Sequence, residues 1–288
     1  MSFESFPDEI ILQIAELLES EKDIYSLLRT NARIFNLLFP HLYKRNSDRS
    51  SNSALPWCII YGNVEGLKLL LTKDATIHNF KALLSCRQGF EKDFTNIALR
   101  CGLHEDFGGA LHFSRHPDMA QLLLDQGADV NETTLFGKTP LHLAVESRNL
   151  ALVQLLLSHG ADVNANGPCY PGTLFAGSTP LHCAMRNEIN TTFYGMAHLL
   201  IARGADPMKT DERGNTPLHI AAGQSSNNSL QPMYALQKIY MTVKLLLEHG
   251  ASVNMANSYG ITPLQIASRR GNQATEMLLL QHGASSYF

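Results

Sequence analysis

From Ser53 onward the chain alternates two kinds of apolar run. One opens on Thr-Pro and the other is rich in leucine and closes on glycine. Thr139-Pro140-Leu141-His142-Leu143-Ala144 recurs as Thr179-Pro180-Leu181-His182-Cys183-Ala184, as Thr216-Pro217-Leu218-His219-Ile220-Ala221 and as Thr262-Pro263-Leu264-Gln265-Ile266-Ala267. Weaker copies are Gly109-Ala110-Leu111-His112-Phe113-Ser114 and Ser53-Ala54-Leu55-Pro56-Trp57-Cys58. Threonine is a good N-cap and proline fits the first helical turn, so each Thr-Pro predicts the start of a helix. The leucine runs, such as Leu152 to Leu157, predict a second helix. Gly127, Gly160, Gly204, Gly250 and Gly283 then suit a left-handed C-terminal cap. One such pair of helices cannot bury its own apolar face, so the stack is the folding unit.

Thr139 precedes Gly160 by 21 residues, as Thr262 precedes Gly283, and 12 residues carry Gly127, Gly204 and Gly250 to the next Thr-Pro. The resulting 33-residue period is interrupted at 78–108, between Gly160 and Thr179, between Thr179 and Gly204 and between Thr216 and Gly250, and it is shortened in the copy ending at Gly127. The last interruption contains the polar stretch Gly223 to Pro232, expected as a loop between two helices. In the first copy Pro56 replaces the histidine and Asp74 the closing glycine. Leu278 to Leu280 have no obvious polar capping repeat after them.

Residues 6–43 follow another pattern. Ile10, Ile14, Leu17 and Leu18 lie on one helical stripe, begun at Pro7 with Asp8 and Glu9 in the first turn. Ile24, Leu27 and Leu28 predict a second short helix. Ile34, Phe35, Leu37 and Leu38 predict a third, which Pro40 stops. So small a core usually needs a neighbour or partner.

The alternating TPLH-like and GADVN-like signatures resemble the ankyrin repeat over residues 53 to about 285. The N-terminal segment resembles an F-box. Its quoted steps are Phe6-Pro7-Asp8-Glu9-Ile10-Ile11, Asp23-Ile24 and Asn31-Ala32-Arg33-Ile34-Phe35, with Phe6 where leucine is usual and Ala32 inserted. The two resemblances imply an all-α fold: a three-helix F-box at 1–45, a linker at 46–52 and an ankyrin solenoid with short β-hairpin tips at 53–288. They also imply a protein-binding subunit. Phe6, Pro7, Ile10, Ile11, Ile14, Leu17 and Leu18 would bind a Skp-type adaptor and, through it, a cullin–RING ubiquitin ligase. The repeats would hold a protein substrate at their tips, through Phe136, Lys138, Tyr170, Phe175, Asp211, Arg213 and Tyr259. The other reading of the first helices is a cap that covers the end of the solenoid.

Composition and chemistry narrow this further. With 44% hydrophobic and 17% charged residues the chain has an ordinary folding composition. A net charge of -3 argues against a nucleic-acid binder, and no apolar run is long enough to cross a membrane. The start of the chain is acidic, and its five cysteines are odd in number and without a CxxC pair. An intracellular protein with reduced thiols, in cytoplasm or nucleus, is expected. Seven of the twelve histidines hold repeat positions: His112, His142, His182 and His219 in TPLH, and His159, His249 and His282 before the turn glycine. No metal-ligand spacing, P-loop, G-x-S-x-G or H-E-x-x-H occurs, so no metal, cofactor or catalytic residue is expected. Cys58 and Cys183 are expected in the core.

Overall fold

Helices form where Thr-Pro and the leucine runs put them. The computed structural model describes residues 7–17, 38, 58–59, 63–71, 108–134, 136–167, 176–186, 193–224 and 232–285. The chain divides into two compact units, Met1–Glu91 and Lys92–Phe288. The repeat copy that starts at Ser53 thus falls in the N-terminal unit, not with the other copies.

In the first unit, α1 runs over Asp8–Leu17 and α2 over Val64–Leu71. Ile11, Leu38, Cys58, Ile59 and Leu67 are each at most 1% exposed and form its core. The second and third helices expected at residues 24–38 lie outside the described residues, apart from Leu38. The divergent first copy keeps one diagnostic turn of the repeat. Asn63 N donates to Cys58 O at 2.8 Å, and the Asn63 side chain accepts from Gly66 N at 2.7 Å. Asn149 and Asn272 make the same two bonds, back to Ala144 O and Ala267 O and forward to Leu152 N and Thr275 N. Cys58 therefore occupies the position of the small alanine that ends TPLHLA.

The second unit is two rows of helices. One row holds α3 (Ala110–Phe113), α5 (Pro140–Glu146), α7 (Pro180–Arg186), α9 (Pro217–Ala222) and α11 (Pro263–Arg269). The other holds α4 (Pro117–Asp125), α6 (Leu150–Ser158), α8 (Phe193–Ala202), α10 (Pro232–Glu248) and α12 (Gln273–Gln281). Successive members of the first row pack on one another, and each packs on its successor in the second. Ala144, Ala184, Ala221 and Ala267, at most 1% exposed, mark the close approach within the first row. Leu278 and Leu279 are buried, because they face α10 and α11. Only Leu280, with Met277 one turn earlier, is exposed.

Among the described residues no strand occurs, so the expected β-hairpin tips are turns. Each turn from Thr134, Asp211 or Asn257 has, among the described residues, a single backbone bond across its base, as from Thr134 N to Lys138 O at 2.9 Å, which is too little for a ladder. The interruption between Thr216 and Gly250 is partly helix. α10 has 17 residues against nine in α6. Its extra turns are tied back by Lys238, whose ammonium lies 5.1 Å from the Tyr234 ring and 5.8 Å from the Tyr194 ring of α8. Of the polar stretch, 225–231 lie outside the described residues.

Copies are joined by two polar ladders. In one, an asparagine after the turn glycine clasps the next copy's turn. Asn131 donates to Gly160 O and accepts from Asp162 N; Asn164 treats Gly204 and Asp206 likewise, and Asn254 treats Gly283 and Ser285. At the remaining junction the position is Met208, and Ser252 N meets its sulfur at 3.2 Å. A thioether is a weak acceptor with no N–H to give. Met208→Asn is therefore expected to add one bond and strengthen the other, about 1–2 kcal/mol together, and raise Tm by a few degrees. A melt that falls instead would show that packing of Met208 outweighs the missing clasp.

Candidate functional site

The turns and the helix ends beside them form the surface available to a partner. Asp211 builds one turn from within: its carboxylate accepts from Arg213 N at 3.0 Å and Asn215 N at 2.8 Å. Asn257 does the same in the next copy, accepting from Tyr259 N and Ile261 N, both at 3.0 Å. Successive turns are tied by Glu212 N to Ala176 O at 3.0 Å and Ser258 N to Arg213 O at 2.9 Å. Gly214 is required at this contact. Its φ is +73°, and a Cβ there would stand 2.7 Å from Ser258 N.

The second ladder runs beneath the turns. The Nδ1 of His142, His182 and His219 lies 2.8 Å from the hydroxyl of its own N-cap threonine and accepts the threonine N–H at 3.1–3.2 Å. With Nδ1 accepting, Nε2 carries the proton. It donates to the carbonyl before the next Thr-Pro, Ser178, Asn215 or Ile261 respectively, at 2.9–3.1 Å. Burial pushes His142 and His182 down to about 4 and lowers His219 in the same direction, so all three are neutral imidazoles at pH 7. In the last copy Gln265 Oε1 replaces the ring nitrogen and accepts from Thr262 N at 3.1 Å.

The histidines before the turn glycines act differently. In His159, His249 and His282 the Nδ1–H donates to the carbonyl four residues back, at 2.9–3.0 Å, closing the helix end. Cys58 and Cys183 are buried as expected, and burial pushes the Cys183 thiol up to about 12 and raises that of Cys58 as well. Neither is a thiolate at neutral pH.

The sequence-predicted binding residues are not alike. Tyr259 is 67% exposed on its turn, and Phe136 and Arg213 are half-buried. Lys138 is held by both oxygens of Glu146, at 2.8 and 2.9 Å. Asp211 departs from the expectation of a surface tip. It is 5% exposed and binds the Arg186 guanidinium at 3.0 Å, because the turn consumes its oxygens. Tyr170 and Phe175 lie outside the described residues.

On the N-terminal unit, Pro7 is exposed and its carbonyl accepts from Ile10 N and Ile11 N. Ile10 is 38% exposed, Ile14 half-buried and Ile11 fully buried, so the helix shows one apolar edge outward while another faces the core. Phe6 and Leu18 lie outside the described residues, as does the side chain of Leu17.

Glu146 and Arg186 belong to this surface and were missed as candidates. Each stands eight residues after its turn partner, Lys138 or Ser178, a spacing repeated in successive copies. Among the described residues no three His, Cys, Asp or Glu side chains are grouped to hold a metal ion, and no helix is long and apolar enough to cross a membrane.

The family model for ankyrin repeats (3 copies) matches residues 80–167, 107–211 and 190–287. The first match takes in the irregular segment 78–108 from residue 80. The chain is 37% identical over 199 residues to ankyrin repeat and SOCS box protein 16 of Mus musculus, an alignment covering 69% of this chain and 39% of that protein. It is 30% identical over 169 residues to the B-cell lymphoma 3 protein homolog of Mus musculus, covering 59% and 33%. With the E3 ubiquitin-protein ligase KEG of Arabidopsis thaliana it shares 27% identity over 177 residues, covering 59% and 10%. The chain thus spans well under half the length of each of these relatives.

Proposed function

This chain belongs to the ankyrin-repeat family, and from that premise we propose that it is the substrate receptor of a cullin–RING ubiquitin ligase. Ankyrin repeats are protein-binding modules, and the ladders described above make this stack a rigid frame for its turns. In the proposed role α1 and the F-box-like segment around it dock on a Skp-type adaptor while the repeats hold a protein. The chain acts by binding, not by chemistry of its own, and a catalytic partner held nearby modifies the captured protein.

The observation that carries this reading is the outward edge of α1. Ile10 stays 38% exposed and Ile14 half-buried although Ile11, beside them, is fully buried. Each aliphatic side chain fully covered by a partner contributes about 1.5–3 kcal/mol gross. The motif around Pro7 and the names of two relatives, one with a SOCS box and one an E3 ubiquitin-protein ligase, point the same way.

The second reading is a scaffold whose first helix only covers apolar surface. It is favoured by Ile11 lying in the same compact unit as Cys58, Ile59 and Leu67. One experiment separates the two: a pull-down of the purified chain with a Skp-type adaptor, beside Pro7→Ala/Ile10→Asp, with melting curves on both. Loss of binding by tenfold or more, about 1.4 kcal/mol or more, with an unchanged melt is the expected result. No binding by the unaltered chain, or a variant that melts early, sinks the receptor reading in favour of the cap.

A further inference from the structure

We propose that the turn-side face of the last two copies docks an acidic peptide segment, gripped by Arg213, Arg269 and Arg270 beside Tyr259. This rests on the receptor reading only for the source of the segment, and it names the chemistry that the captured protein must display.

The argument starts from the eight-residue spacing between a turn residue and the end of the helix that follows. In the copy opened by Thr139 the two positions are Lys138 and Glu146, an internal ion pair at 2.8 Å. In the next they are Ser178 and Arg186, and the arginine reaches forward to Asp211 at 3.0 Å. In the copy opened by Thr216 the helix-end position is Gly223, with no side chain to cover the face. In the last copy Ile261 stands opposite Arg269, with Arg270 following. Ile261 has no charge to offer a guanidinium.

Arg269 and Arg270 are exposed, and Arg213 is half-buried. Among the described residues their side chains have no ion-pair or hydrogen-bond partner, whereas every cation in the two preceding copies' pairs has one. Arg213 is also close enough to Arg186 to disfavour its charge, so the buried carboxylate of Asp211 serves one guanidinium and leaves the other unmatched. Glu212, exposed on the same turn as Arg213, offsets one of these charges. The face therefore carries an excess of positive charge although the whole chain is at -3. Earlier copies satisfy these positions from within, and the last two leave them for a ligand.

The geometry favours an extended segment. Packed helices stand about 8–10 Å apart, so arginines on adjacent copies match carboxylates about three residues apart at roughly 3.3 Å per residue. Tyr259, 67% exposed, supplies an aromatic face next to the charges.

The test is fluorescence polarisation with the full chain and three labelled peptides of about twelve residues, carrying Glu, Gln or phosphoserine at every third position. The Glu peptide is expected to bind at least tenfold more tightly than the Gln peptide. Its affinity is expected to fall at least tenfold in Arg269→Glu/Arg270→Glu and to survive within a few-fold in Arg269→Lys/Arg270→Lys. On the unaltered chain the same affinity should fall at least tenfold between about 50 and about 500 mM NaCl, a readout independent of how the variants fold. Equal binding of Glu and Gln peptides, an unaffected charge-reversal variant, or a flat salt response would overturn the proposal. Binding of the phosphoserine peptide alone overturns it in favour of a phosphate-reading face. The adaptor is absent from this assay. Silence here with adaptor binding intact therefore sinks only the acidic-peptide site, and the reverse outcome sinks only the ligase reading.

Discussion

Acidification from pH 7 to about 4 is expected to remove most of the stability of the repeat stack. His142 and His182 are fully buried and titrate at about 4 in the folded chain, against 6.5 when unfolded. As the pH drops below 6.5 the unfolded chain takes up these protons first. The stabilisation is thus whole above 6.5 and is lost progressively down to about 4. Each histidine then costs about 3 kcal/mol, and two together rival a typical folding free energy of 5–15 kcal/mol. His219, lowered by burial too, adds in the same direction. The neighbours do not reverse the sign. Lys138 and His112 disfavour a charge on His142; for His182, Arg186 and His219 oppose the Asp211 carboxylate. Thermal melts between pH 7.5 and 4.5 measure the effect. His182→Gln should flatten the profile by about 3 kcal/mol, because Gln265 already shows that an amide oxygen can hold the threonine N–H. A melt unchanged between pH 7 and 4.5 would mean that the imidazoles are protonated within the fold.

Asp211→Ala is expected to destabilise the chain by about 3–5 kcal/mol, since it strips a mostly buried guanidinium of its counter-charge and two backbone N–H groups of their acceptor. Arg186 is 19% exposed and its partner carboxylate 2%. Asp211→Asn divides the two contributions. Asn257 builds the equivalent turn with an amide, so the asparagine variant should keep the turn and lose only the charge, costing about 1–2 kcal/mol. Urea denaturation of the three proteins gives the comparison. Equal losses for alanine and asparagine would assign the whole effect to the ion pair and none to the turn.

Much of the fold was legible because it is written locally. Thr-Pro begins α5, α7, α9 and α11 where the periodicity puts them, and the five turn glycines all have positive φ. Such features need only the residues next to them. What escaped were the partners of side chains whose bonds span copies. Asn131 and Asn164 close the GADVN-like signatures, yet their amides reach carbonyls 29 and 40 positions on. Asp211 reads as a polar tip because Asp-Glu-Arg is hydrophilic, and only the folded turn shows its oxygens facing inward. Arg269 and Arg270 are adjacent in sequence, but the eight-residue spacing that joins a turn to its helix end is evident only in the folded pairs of earlier copies. On the N-terminal segment, the stripe of Ile10 and Ile14 is borne by α1, while Leu17, Leu18 and the two later helices fall outside the described side chains.

The histidine bridges all point one way along the chain, and this gives the stack a direction in time. The acceptor for His142 lies 36 residues downstream, for His182 33 and for His219 42. A ribosome adds about 5–20 residues per second, so each imidazole N–H waits roughly 2–8 s for its carbonyl to be made. Until then it can bond only to water, and the copy that carries it stays loosely held. Synthesis therefore completes these three repeats retroactively, the newest helix pair locking the one before it, and a chain stalled just after one of them leaves that copy with an unanswered donor.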